Sequence, residues 1–330
     1  MVDLNKFYRL FGLLLLASLT TATAGTADDT QALRAFAADM QNRHGMAPEQ
    51  IEALLLNDAE YRQEIIDAIT RPAEAMPWHR YRNIFMTEER IADGVSFKQT
   101  HAETLQRAEA EFGVEPAIIT AIIGVETFYG RYRGRHRVID ALRTLGFSYP
   151  PRQDFFRREL EAFLLLSAEE GFDPATATGS YAGAMGVPQF ISSSYRAYAV
   201  DFSDTGRRDL FSDMADVIGS VANYFAEHRW QANAPITVPV TVQGETWQRY
   251  LPRALKPSHT VGELRAAGVV IPDFLDDEKP ARLLELQGES EAEYWVTLEN
   301  FYAITRYNHS PLYAMAVFQL AEAINEASQR

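Results

Sequence analysis

The sequence contains no cysteine. That excludes disulfides, zinc–thiolate centres, thiol nucleophiles and lipid attachment through an N-terminal cysteine. It also suits an oxidising compartment, where a stray thiol is a liability. None of the seven histidines falls in an H-E-x-x-H pattern, so zinc hydrolase chemistry has no support. There is no basic excess: 45 acidic side chains face 31 basic ones, and the net charge of −14 argues against a nucleic-acid partner. A neutral or mixed-charge polymer such as a glycan fits this balance better. The aromatic content of 12% permits it, because sugars stack their apolar faces on rings.

Long apolar runs are missing too, apart from one at the start. Lys6 and Arg9 precede an apolar stretch from Leu10 to Leu19, and Ala22-Thr23-Ala24 follows as an A-x-A-like cleavage site. The run is short for a bilayer span, so residues 1–24 read as a signal peptide. The expected mature chain is exported to the periplasm, soluble and not membrane-anchored. A chain of 330 residues can bury one large core or two modest ones without staples.

From Asp29 to about Glu111 apolar residues recur at helical spacing, in TQALRAFAADMQNR, APEQIEALLLNDAEYRQEIIDAI and HAETLQRAEAEF. The Pro- and aromatic-rich stretch RPAEAMPWHRYRNIF is less regular and is expected to run over a surface. PAIITAIIGVETFYG, opened by Glu115-Pro116, is apolar all round and predicts a central buried helix. Helices are also expected at RRELEAFLLLSAEE, ADVIGSVANYFAEHRW and PLYAMAVFQLAEAINEA. Beyond Pro235 the character changes, and PITVPVTV, ARLLELQG and EYWVTLENF read as short strands. The fold class is therefore α+β, predominantly α-helical, with a small β-rich insertion.

Glu126 is the residue that needs explaining, because it stands on a helix otherwise without charge from Pro116 onward. An ionised carboxylate there is costly, so it should hold its proton near neutral pH, as a general acid must. The alternative is a helix-end carboxylate turned to water or paired with Arg131 or Arg133. The stretch from Gly179 to Phe190 places small residues where backbone must approach something closely, with Ser180 and Gln189 as neutral polar groups between rings. Packing against the central helix explains the glycines equally well. A third element is Arg306-Tyr307-Asn308-His309, leading into the last helix.

Together, an ET pair after an apolar helix, then GAMG-x-x-QF, then an aromatic-Asn pair resemble lytic transglycosylases with a goose-type lysozyme-like core. The longer strings IIGVETFYGR, GSYAGAMG, AVDF, DVIGSVANYF and RYNHSPLYAMAVFQLAEAI are similar to the membrane-bound lytic murein transglycosylase B family, family 103 of the glycoside hydrolases. The resemblance runs from about Trp78 to the C-terminus. The residue pattern gives a helical N-terminal region at 25–110 and the β-rich insertion at 235–300, and the resemblance adds a lysozyme-like catalytic core at 111–234 with a C-terminal helix returning to it at 301–330. The resemblance also implies cleavage of the β-1,4 bond between N-acetylmuramic acid and N-acetylglucosamine in peptidoglycan strands, leaving a 1,6-anhydromuramyl end. Glu126 matches the catalytic acid. Ser180, Gln189, Tyr224, Tyr307 and Asn308 match substrate-contacting positions, and Tyr81, Phe190 and Tyr313 match cleft aromatics.

One carboxylate is enough for that reaction, whereas a hydrolase normally places a second across the sugar ring. The sugar's own C6 hydroxyl can attack instead, an intramolecular step favoured by proximity. No second acid adjoins the motifs, although Asp140 and Glu169 stay open as candidates. No cofactor is required. The segment Asp201 to Ser212 resembles the family's calcium loop, with Gly206 at its sixth position. The resemblance implies a structural calcium on Asp201, Ser203, Thr205, Asp209 and Asp216, but Thr205 stands where relatives commonly have Asp. Pro151-Arg152 departs from the paired arginine of some members, which weakens any claim on the peptide stem. Two other readings stay open: a lysozyme-type hydrolase, and a non-catalytic scaffold holding other cell-wall enzymes.

Overall fold

In the computed structural model the described residues are 30–71, 76–251 and 254–329. The signal peptide expected at 1–24 lies outside them. Among the described residues no helix is long and apolar enough to cross a membrane.

Packing groups the chain into two units that interleave along the sequence. One takes the described residues of Met1–Ala73 with Gly130–Val217, and the other takes those of Glu74–Tyr129 with Ile218–Arg330. This differs from the consecutive segments expected above. Helices far apart in sequence share one core, and hydrophobic burial is indifferent to chain order.

In the first unit, Thr30–His44 turns its buried face of Leu33, Phe36, Ala37 and Met40 inward. Phe36 meets Phe147 edge-on at 5.9 Å. The single helix expected from Pro48 to Ile69 is instead three pieces: Pro48–Glu52, a π-helical turn at Ala53–Asp58, and Gln63–Thr70. The break falls where Arg137 pairs with Asp58 and Asp140 accepts the Glu60 amide, so tertiary partners outweigh local propensity. Val138–Ser148 packs on Gln153–Glu170, and a two-residue ladder pairs His136 with Gly179 and Arg137 with Thr178.

In the second unit the central element is Pro116–Thr127, buried from Ala117 through Thr127 as its composition predicts. Proline at the first turn costs no hydrogen bond there. Each fully buried isoleucine contributes about 1.5–3 kcal/mol of transfer free energy, and Ile119, Ile122 and Ile123 are all at 0% exposure. Pro311–Ser328, capped by Ser310, lies along this helix and also packs on Glu88–Thr100 and Trp78–Phe85. Trp78–Phe85 corrects the surface-loop expectation. Trp78, Tyr81 and Phe85 share one helical face, and all three are buried.

A five-stranded antiparallel sheet completes the second unit, in the order His259–Thr260, Pro280–Gln287, Ala292–Thr297, Thr237–Val242, Val269–Val270. Leu283 pairs with Val296, and both face a small core with Val238, Trp247, Val261 and Leu264. The third expected strand is shorter than its hydrophobic run. It ends at Thr297, and Glu299 opens the helix Glu299–Tyr307, which buries Phe301 and Ile304.

Candidate active site

The carboxyl of Glu126 sits at the buried end of the central helix, 3% exposed. Its Oε1 accepts a 2.5 Å hydrogen bond from the Tyr313 hydroxyl. Its Oε2 is buried and has no hydrogen-bond partner. Burial raises its pKa to about 8, with the Tyr313 hydrogen bond pulling the other way. At neutral pH the group is therefore protonated and carries a proton it can deliver. Burial overturns the outward-facing alternative, and with Oε1 held by Tyr313 and Oε2 without a partner the carboxyl pairs with neither Arg131 nor Arg133.

Four tyrosines of the same unit belong to this neighbourhood. Tyr313 is 1% exposed and stacks parallel to Tyr307 at 6.5 Å. Tyr307 is half-buried and meets Tyr224 at 4.7 Å, while the Tyr224 hydroxyl donates to the Arg306 carbonyl at 2.6 Å. Tyr81 is buried, and burial together with the nearby Glu126 pushes its phenol up. Tyr313 is thus a holder of the acid more than an open platform. Asn308 ends the helix Glu299–Tyr307 in an extended conformation and is half-buried. His228, which the sequence did not single out, stacks on Tyr224 at 4.1 Å.

The glycine-rich segment belongs to the first unit. Ser180 Oγ accepts from the amides of Ala182 and Ala184, so the hydroxyl staples its own turn. Gln189 adopts a left-handed φ of 54°, and its amide nitrogen donates to the carbonyls of Gly186 and Arg133. Its side-chain oxygen is thereby the group left to receive a donor. Phe190 is 2% exposed and has no ring face open to a sugar, which corrects its reading as a cleft aromatic. The two candidate second acids are both committed. Asp140 pairs with Arg62 and Arg137, and Glu169 pairs with Arg196 and Arg208.

Among the described residues no group of three or more His, Cys, Asp or Glu side chains forms a metal cluster. The Asp201 loop offers a weaker set. Thr205 Oγ1 lies 3.4 Å from each of Asp201 Oδ1, Ser203 Oγ and the Arg207 carbonyl. Those separations are long for hydrogen bonds, but they match neighbouring oxygens about 2.4 Å from a shared cation. The amides of Thr205 and Gly206 fix the Asp201 carboxylate, which lowers its pKa. Asp209 and Asp216 are anchored in the same way: Asp209 accepts from the amides of Phe211 and Ser212, and Asp216 from those of Phe202, Ser203 and Asp209.

One desolvated acid ringed by tyrosines, on a buried helix of a mainly helical frame, defines a general-acid enzyme of the glycan-cleaving class. The comparisons with known proteins agree. Residues 28–322 match the family model described as the transglycosylase SLT domain. The chain is 41% identical to membrane-bound lytic murein transglycosylase B of Escherichia coli over 299 residues, covering 88% of this chain and 81% of the relative. The soluble lytic transglycosylase SltB1 of Pseudomonas aeruginosa superposes with a TM-score of 0.87 at 49% identity, over 91% of this chain and 100% of that one. The Escherichia coli lytic transglycosylase Slt35, in a structure with calcium, gives 0.85 at 40% identity, over 94% and 97%. The chain belongs to the transglycosylase SLT domain family.

Proposed function

We propose that the protein is a peptidoglycan lytic transglycosylase that cuts the β-1,4 bond between N-acetylmuramic acid and N-acetylglucosamine and leaves a 1,6-anhydromuramyl end. The observation that carries the reading is the buried Glu126, its pKa raised to about 8 by burial, with no other carboxylate among the described residues acting on it. In this reading Glu126 protonates the glycosidic oxygen as the bond breaks. The resulting carboxylate then takes the proton from the muramyl O6, which closes on C1 and restores the acid. Tyr313 stabilises the carboxylate form through its hydrogen bond. Tyr81, Tyr224, Tyr307 and Asn308 of the second unit are proposed glycan contacts, and Ser180 and Gln189 of the first unit are proposed as such from the resemblance alone. The relatives' names support this substrate, and export to the periplasm follows from the N-terminal pattern.

The test is the product. Purified sacculi digested in heavy-oxygen water should yield muramyl ends that are lighter by one water than hydrolytic ends and carry no label. Label in most new ends would assign the protein to the hydrolases, with Glu126 still the acid.

The Asp201, Ser203, Thr205 and Arg207 oxygens are proposed to hold a structural calcium. With Thr205 where relatives commonly have a carboxylate, the site should be weak, with a Kd of roughly 10⁻⁴–10⁻³ M. At 10 mM calcium the stabilisation is then about 1.5–3 kcal/mol by mass action. A rise in Tm of several degrees over chelator-treated protein is expected, whereas identical melting curves would remove calcium from the loop.

A further inference from the structure

The chain turns sharply just after the acid. Phe128 and Tyr129, with φ of 52° and 59°, are both left-handed although neither is glycine. The Phe128 amide donates to Gly124 O at 3.1 Å and the Tyr129 amide to Ile123 O at 3.2 Å. This pattern closes a helix C-terminus, and glycine ordinarily supplies the left-handed residue. Two side chains in that conformation persist only when their surroundings hold them there.

The holding contacts are specific. The Tyr129 hydroxyl donates to the Arg90 carbonyl at 2.8 Å. The Arg90 guanidinium lies 4.5 Å from the centre of the Phe128 ring and 5.3 Å from that of Phe85, and it donates to the Ile84 carbonyl. The Tyr129 ring fills a hollow left by two glycines within helices. A Cβ on Gly124 would stand 2.7 Å from the ring, and one on Gly94 would stand 2.5 Å from the hydroxyl. Glycine inside a helix is unfavourable, so both positions call for a reason: at Gly124 it is the ring, and at Gly94 the Tyr129 hydroxyl together with the Ile324 side chain, whose Cδ1 would lie 2.6 Å from a Cβ.

We infer that Tyr129, anchored on Arg90 and seated over Gly94 and Gly124, is the positioning residue that fixes the carboxyl of Glu126. Gly124 and Glu126 lie on the same last turn, so pinning the turn at Gly124, Phe128 and Tyr129 sets the depth at which Glu126 is held. That depth keeps Oε2 away from water. The titratable groups facing the carboxyl are Tyr81, Tyr307 and Tyr313, and those facing Tyr129 are Arg90 and Asp93. None of these needs to change its charge for the clamp to act.

The inference rests on Glu126 being the acid, and the test separates the two. Tyr129→Phe keeps the ring and removes only its hydroxyl. In the full chain it should lower kcat about tenfold and leave KM within about twofold. The alkaline limb of the pH–rate profile should move down by about one pH unit, because a looser turn lets water reach Glu126. Gly124→Ala, which drives the ring from its hollow, should shift the limb further in the same direction. If Gly124→Ala does not fold, Tyr129→Phe decides alone. A parental kcat and parental limb in Tyr129→Phe overturn the proposal, as does a loss confined to Tm or to KM. Full activity in Glu126→Gln would instead overturn the assignment of the acid itself.

Discussion

Glu126→Gln should fold as the parent does and lose about 10²–10⁴-fold in turnover. The amide fills the same space and can still accept the Tyr313 hydrogen bond, but it has no proton to give to a leaving oxygen. Activity within tenfold of the parent would remove Glu126 from the mechanism. The same variant should be more stable than the parent at neutral pH. The parent's carboxyl has its folded pKa raised to about 8, above an ordinary value near 4.5. Unfolding lets it ionise, so the parent loses stability as pH rises from about 4.5 to about 8, and nothing further beyond. The glutamine is free of that loss. Its advantage in stability should be absent near pH 4, grow with pH and level off above about pH 8, at an upper bound of ~5 kcal/mol. The parent's activity should fall over the upper part of this range, as the acid ionises.

Gly186→Ala should destabilise the first unit severely. Gly186 has a φ of 73°, which an alanine adopts only with strain. A Cβ there would also stand 2.6 Å from the Leu210 carbonyl oxygen, and backbone cannot turn aside as a flexible side chain can. Strain and overpacking each cost about 1–3 kcal/mol, so about 3 kcal/mol or more in total is expected. Thermal melting should show a Tm lower by roughly 6 °C or more at that scale. Because the Val187 amide donates to the same Leu210 carbonyl, the damage should spread to the neighbouring Asp201–Ser212 loop. A variant melting with the parent would mean this stretch yields more easily than its geometry implies.

The sequence made the main lines of the catalytic helix legible. Its uniform apolarity predicted burial, and the lone glutamate predicted a raised pKa; both depend on composition within one element. The strands at Thr237–Val242 and Pro280–Gln287 were legible for a similar reason, since alternation and β-branched residues are local signals. The helix Trp78–Phe85 was misread because prolines and aromatics mask its period, although positions 78, 81 and 85 carry it. Phe190 was misplaced because a ring's character does not say which way it faces. Arg90 and Tyr129 left only a faint trace, glycines within two helices, and that trace has no meaning until the ring lying over them is known.

What the sequence determined by itself is the chemistry: one carboxyl on an apolar helix, no thiol, no zinc motif, and a glycine-rich strip that has to pack closely. Tertiary structure decided the rest. It set which phenol holds the carboxyl, since Tyr313 is 187 residues away from Glu126 in the chain. It committed Asp140 and Glu169, the two other candidate acids, to arginines. It also turned the carboxylates of Asp201, Asp209 and Asp216 onto backbone amides of the same loop, which fixes where each oxygen points. The reason is the same in each case. A side chain's charge and polarity belong to the residue, but its protonation and its partner depend on what is packed within a few ångströms of it.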